Sequence, residues 1–130
     1  MYRAVTHDIE VQVEPKYDEE RSMPPSNTYF WTYQVTIRNL GKLKVQLRSR
    51  YWRIIDAQGD VREVRGPGVV GEEPVIEPGG SYTYQSIAPL KTPTGFMGGS
   101  YQMEGTKGSL FDVAIPTFSL DSPHVTHSIN

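Results

Sequence analysis

Along most of the chain apolar and polar residues alternate one for one, and this period of two constrains the fold more than any other feature. In "HDIEVQVEP" Ile9, Val11 and Val13 alternate with Asp8, Glu10, Gln12 and Glu14, which gives an extended segment one apolar face and one wet face. "YFWTYQVTIRNL" repeats the pattern, with Tyr29, Trp31, Tyr33, Val35 and Ile37 opposite Thr32, Gln34, Thr36 and Arg38. Its aromatic and β-branched side chains suit a pleated surface. In "KVQLRSRYWRIIDAQG" Val45 and Leu47 have one parity while Trp52 and Ile54 have the other. A bulge or bend near Ser49 reconciles the two and turns Trp52 into the core.

Further strands are expected at Val61–Val64, Val75–Ile76, Ser81–Ser86, Ser100–Met103 and Leu110–Ile115, separated by the turn signals "EPGG", "KTPTG" and "EGTKG". Twelve glycines and ten prolines fall in almost every gap where a long helix could begin. The expectation is an all-β antiparallel sandwich of seven or eight strands, one domain over residues 1–120. The polar segment 16–27 reads as a mobile loop, and residues 121–130 as a flexible C-terminal tail.

Residues 61–80, "VREVRGPGVVGEEPVIEPGG", place Gly66, Gly68 and Gly71 in the spacing G-x-G-x-x-G. A dinucleotide site needs a helix after these glycines and an acidic residue about twenty positions on. Pro74 and "EPGG" interrupt the helix, no carboxylate stands at Ser86–Lys91, and Pro67 removes an amide. The glycines are therefore expected to supply positive φ angles in a sharp corner after Arg65. The alternative is an anion-holding nest of amides at Arg65, Gly66, Gly68 and Gly71, with Glu72 and Glu73 opposing it.

Other candidate chemistry is sparse. His7 beside Asp8, and His124 with His127, carry metal-ligand atoms without a fixed frame. Asp18–Glu20 is flanked by Lys16 and Arg21 and lacks cation-loop spacing. Glu72 and Glu73 are adjacent and point apart in an extended chain. No nucleophile elbow accompanies the serines. No enzymatic activity and no cofactor are expected. Lys42, Lys44, Arg48 and Arg50 share a parity opposite Val45 and Leu47, which reads as a solvated basic face available to an acidic protein partner. Thirteen basic against fifteen acidic residues speak against a nucleic-acid surface. No run is long and apolar enough for a signal peptide or a membrane span, and there is no cysteine, so a soluble cytoplasmic protein is expected. The oligomeric state is left open.

"VQLRSRYWRIIDAQGDV", "VREVRGPGVVGEEPVIEPGGSYTYQS", "PLKTPTGFMGGSYQM" and "FDVAIPTFSL", in this order and spacing over about residues 5–120, resemble the ApaG family. One departure is the stretch Gln85-Ser86-Ile87-Ala88, where the family pattern carries Thr-Ser-Gly. The resemblance implies a fibronectin type III-like sandwich. It also implies an indirect link to cobalt and magnesium tolerance or efflux, and gene neighbours in dinucleoside-polyphosphate turnover. Similar domains in eukaryotic F-box proteins and in a DNA-polymerase-δ-interacting protein imply protein–protein interaction, and none implies catalysis by the domain itself. The leading expectation is an adaptor that binds a protein through end loops or a strand edge. The runner-up is a sensor of nucleotide polyphosphate, pyrophosphate or a divalent metal at Arg65–Gly71.

Overall fold

The computed structural model describes residues 1–124; residues 125–130, and with them His127, lie outside the described part. The strands are β1 (Tyr2–Thr6), β2 (Ile9–Tyr17), β3 (Tyr29–Asn39), β4 (Val45–Asp56), β5 (Val61–Pro67), β6 (Val75–Ile76), β7 (Ser81–Leu90), β8 (Thr94–Glu104) and β9 (Leu110–Asp121). They form two antiparallel sheets, one in the order β1-β2-β3-β7 and one in the order β5-β4-β8-β9, with β6 also on β4. The fold is the expected all-β, fibronectin type III-like sandwich. Among the described residues no helix is long and apolar enough to cross a membrane.

The alternation seen in the sequence becomes the core. Ile9, Val11 and Val13 of β2 are buried, as are Trp31, Tyr33, Val35 and Ile37 of β3. They meet Leu47, Trp52, Tyr101, Met103 and Phe118 from the opposite sheet in one cluster. At its centre Tyr33 and Phe118 flank Trp52, with ring centroids 5.3 and 6.1 Å from it, the edge-to-face packing that aromatic quadrupoles favour. The bulge expected near Ser49 is present: the β4–β8 register slips between Leu47 and Ser49.

Several boundaries differ from the sequence reading: β5 runs on to Pro67 and β7 to Leu90, and three further differences have a clear cause. β1 was not anticipated, and it brings the count to nine. Its hairpin with β2 turns at His7 (φ 48°) and Asp8 (φ 63°), a left-handed pair without glycine or proline to announce it. β8 begins at Thr94 rather than Ser100 because Gly98 and Gly99 are strand residues. A Cβ on Gly99 would lie 1.9 Å from the Tyr51 carbonyl oxygen, so the sheet requires glycine there. β9 continues past Ile115 because Pro116 and Thr117 together oppose Gly98, between the pairs Gly99↔Ile115 and Met97↔Phe118. A bulge on an edge strand accommodates proline.

The last strand therefore ends at Asp121, inside the segment expected to be a flexible tail. The Asp121 carbonyl accepts the indole N–H of Trp31 at 2.8 Å, and His124 packs on Tyr17 with centroids 5.7 Å apart. The 16–27 segment is also tied down. Lys16 and Tyr17 belong to β2, Ser22 Oγ donates to the Asp18 carbonyl at 2.7 Å, and the Phe30 amide donates to Ser22 Oγ at 2.9 Å.

Candidate functional site

The two long sides of the sandwich are unlike. On one side β1 lies against β9, and its side chains take up β9 amides: Ala114 N–H donates to Thr6 Oγ1 at 3.2 Å and Ser119 N–H to Tyr2 Oη at 3.3 Å. On the other side β5 and β7 face each other across an open cleft. Six of the seven β5 residues are exposed.

Two backbone bonds fix which β5 groups face outward. Gly68 N–H donates to the Arg48 carbonyl at 2.8 Å and Asp56 N–H to the Asp60 carbonyl at 3.1 Å. The register between these points is unbroken, from Ser49↔Pro67 to Ile55↔Val61. Antiparallel alternation then directs the main-chain groups of Arg62, Val64 and Gly66 toward β4, and those of Val61, Glu63 and Arg65 away from it. Pro67, which has no N–H, falls in the outward set.

The same register sorts the side chains. Arg50, Trp52 and Ile54 of β4 pair with Gly66, Val64 and Arg62 and share the inner face of the sheet. The outer face of β5 carries Glu63 and Arg65, which satisfy one another and Tyr51. Arg65 Nη2 lies 3.8 Å from Glu63 Oε2, Tyr51 Oη donates to Glu63 at 2.7 Å, and the Arg65 guanidinium sits 4.4 Å above the Tyr51 ring.

The glycine run is a corner, not a cup, and it comes after Pro67 rather than after Arg65. Gly66 is a strand residue without positive φ, whereas Gly68 (φ 58°), Val70 (φ 43°) and Gly71 (φ 82°) are left-handed. Val69 and Glu72 exchange two backbone hydrogen bonds, 2.8 and 2.9 Å, the closure of a two-residue type I′ turn. The amides of Gly68, Val69 and Glu72 are thereby engaged within the protein. Arg65 points to the outer face, away from the turn. The four residues Arg65, Gly66, Gly68 and Gly71 do not converge on a common centre.

The cation that the run does embrace is Arg50. Its Nη1 donates to the carbonyls of Pro67 and Gly68 at 2.9 and 3.0 Å. A Cβ on Gly66 would stand 2.9 Å from Nη2, so Gly66 is small because the guanidinium lies over it. The sequence reading had put Arg50 on the outer basic face by carrying one parity through the bulge. Counted past the bulge, it joins Trp52 and Ile54 on the inner face. Arg48 stays outside and pairs with Glu73 at 3.3 Å and Glu104 at 3.2 Å. Glu72 accepts from Tyr82 Oη at 2.9 Å, so Glu72 and Glu73 do point apart.

The cleft beside Arg50 has a volume of about 220 Å³, walled by Tyr33, Trp52, Val64, Ser86 and Ala88 with Arg62 at its mouth. It continues past Arg62 into a hollow of about 390 Å³ toward Asn27, Asp60 and Lys91. Arg62 Nη2 reaches across to the Pro89 carbonyl at 3.4 Å. Ser86 and Ala88 belong to the stretch that departs from the family pattern. Behind the cleft the hydroxyls of Tyr84 and Tyr101 share a hydrogen bond. Burial raises the ionisation of Tyr33, Tyr84 and Tyr101 above the ordinary tyrosine value, so these hydroxyls are neutral at pH 7. Among the described residues no histidine or carboxylate lines the 220 Å³ cleft.

Elsewhere, the end loops hold a hollow of about 550 Å³ beside His7, Leu40, Leu43 and Phe111. Among the described residues no three His, Cys, Asp or Glu side chains come together to hold a metal. Asp18 is paired with Arg21 at 3.3 Å.

The protein is thus an antiparallel β-sandwich with one shielded side and one open, arginine-bearing side. A family model described as the ApaG domain matches residues 19–105. The chain belongs to the ApaG domain family. Over the full length of both chains it is 58% identical to "Protein ApaG" of Brucella anthropi and 56% identical to that of Mesorhizobium japonicum. The crystal structure of a putative ApaA protein from Bordetella pertussis is 41% identical. It superposes with a TM-score of 0.87, over 93% of this chain and 98% of that one.

Proposed function

We propose that the protein is a non-catalytic adaptor that holds an extended segment of another protein along the outer edge of β5. The supporting observation is the contrast between the two edges of the five-stranded sheet. β9 has amides taken up by Thr6 and Tyr2, while β5 turns the main-chain groups of Val61, Glu63 and Arg65 outward along an exposed strand. Such an edge accepts a strand by main-chain hydrogen bonding. The lining of the cleft supplies shape, hydrogen bonds and positive charge, which suits recognition rather than proton transfer. A ligand sensor at Arg65–Gly71 has less support, since three amides of the turn are engaged internally and Arg65 faces elsewhere. A link to cobalt or magnesium tolerance would then run through the partner.

The test is Glu63→Pro, with Arg65→Pro as a second variant. Each removes an outward amide from an edge strand, where proline is tolerated. Capture from lysate should yield a protein retained by the wild type and lost by both variants, with urea midpoints close to wild type. A partner that the proline variants still hold overturns the reading.

A further inference from the structure

The inner face of β5 carries a row of three groups in the order cation, apolar, cation. Arg62 and Val64 are the first two. The third position is Gly66, which has no side chain, and the Arg50 guanidinium from the neighbouring strand lies in the space a side chain there would fill. Arg50 is held in that place by the Pro67 and Gly68 carbonyls, leaving Nε and Nη2 without a protein acceptor among the described residues. Among the described residues Arg50 and Arg62 are in no ion pair, and neither is the exposed Arg53 on the outer face of β4, whereas Arg3, Arg21, Arg38, Arg48 and Arg65 all are. Arg50 is half-buried beside Tyr33 and Trp52 with no carboxylate in the cleft lining, so an anion reaching its free Nε and Nη2 would gain charge-assisted hydrogen bonds.

Resting on the reading of β5 as a docking edge, we infer that the segment it receives presents acidic, apolar and acidic side chains at alternate positions of its inward face. An antiparallel strand added to β5 would pair its main chain with Val61, Glu63 and Arg65. Its residues opposite Arg62, Val64 and Gly66 would then be the non-hydrogen-bonded pairs, whose side chains approach most closely. The two flanking carboxylates of that inward face meet Arg62 and the Arg50 fork, and the apolar side chain between them meets Val64. The outer face of β5, where Glu63 and Arg65 neutralise each other, asks for no charge.

The probe is the blocked peptide Thr-Glu-Thr-Val-Thr-Glu-Thr, with Thr-Gln-Thr-Val-Thr-Gln-Thr as its uncharged partner, titrated into the labelled full chain. Expected are shifts at the Val61–Arg65 amides and at the Arg50 and Arg62 Nε–H groups, with the glutamine peptide about tenfold weaker at low salt. Arg62→Gln and Arg50→Lys should each weaken the glutamate peptide by about three- to tenfold. Arg62→Gln keeps the test decisive if Arg50→Lys does not fold. Equal binding of the two peptides with shifts along β5 overturns the acidic pattern and leaves strand addition standing. Binding that needs Arg50 yet survives Glu63→Pro overturns strand addition and leaves an acidic site. The inference also fails if neither peptide binds, if Arg50→Lys changes only stability, or if inorganic phosphate displaces the peptide at equal concentration.

Discussion

Gly66 and Gly68 stand two residues apart and are glycine for different reasons. Gly68 has φ 58°, and a Cβ there would lie 2.1 Å from the Glu72 carbonyl oxygen, a rigid backbone atom. Gly68→Ala should therefore cost about 2 kcal/mol or more, read as a lower urea midpoint at unchanged slope. At Gly66 the obstacle is the far end of the Arg50 side chain, which can move. Gly66→Ala should leave the urea midpoint within about 1 kcal/mol of wild type while shifting the Arg50 Nε–H resonance. A large loss of stability with an unmoved Arg50 signal would contradict this division of roles.

Among the elements, β3 is plain in the sequence because one of its faces is buried throughout. β2 and β4 are plain because Ile9, Val11 and Val13, and Val45, Leu47, Trp52 and Ile54 on either side of the bulge, are buried at alternate positions. β1 was missed because Tyr2, Ala4 and Thr6, its inward residues, are only half-buried and carry little hydrophobic contrast. β8 and β9 were cut short because glycine and proline serve opposite purposes at turns and at bulges, and only the neighbouring strand reveals which. The candidate site was legible in part. A turn with positive φ at Gly68 and Gly71 is legible in the sequence, but its position after Pro67, the strand conformation of Gly66 and the placing of Arg50 are not, although the bulge that reorients Arg50 is. The loop after β3 depends on Asn39, whose buried amide donates to the Leu43 and Ile76 carbonyls at 2.8 and 3.0 Å and whose Oδ1 accepts from Gly41 N–H at 2.9 Å. Asn39→Ala strands these groups and should cost about 2–3 kcal/mol by urea denaturation. A change below about 0.5 kcal/mol would mean that water replaces all three bonds.

For the whole molecule, the buried tyrosines set an alkaline limit. Tyr33, Tyr84 and Tyr101 ionise less readily in the folded protein than the ordinary value of 10.0, chiefly because burial penalises the phenolate. The unfolded chain releases these protons first. Their contribution to stability is complete below about pH 10 and is lost progressively as pH rises above it. The urea midpoint should accordingly fall from about pH 10 upward, and Tyr84→Phe should make that fall shallower. An unchanged slope in Tyr84→Phe would place the alkaline transition elsewhere. The asymmetry of the sandwich has a last consequence for crowding. Thr6 and Tyr2 occupy two amides of the β9 border, whereas two molecules meeting through β5 would pair β5 to β5 about a twofold axis. That pairing uses up the exposed border of both, so assembly by this route closes at a dimer and cannot lengthen into a filament.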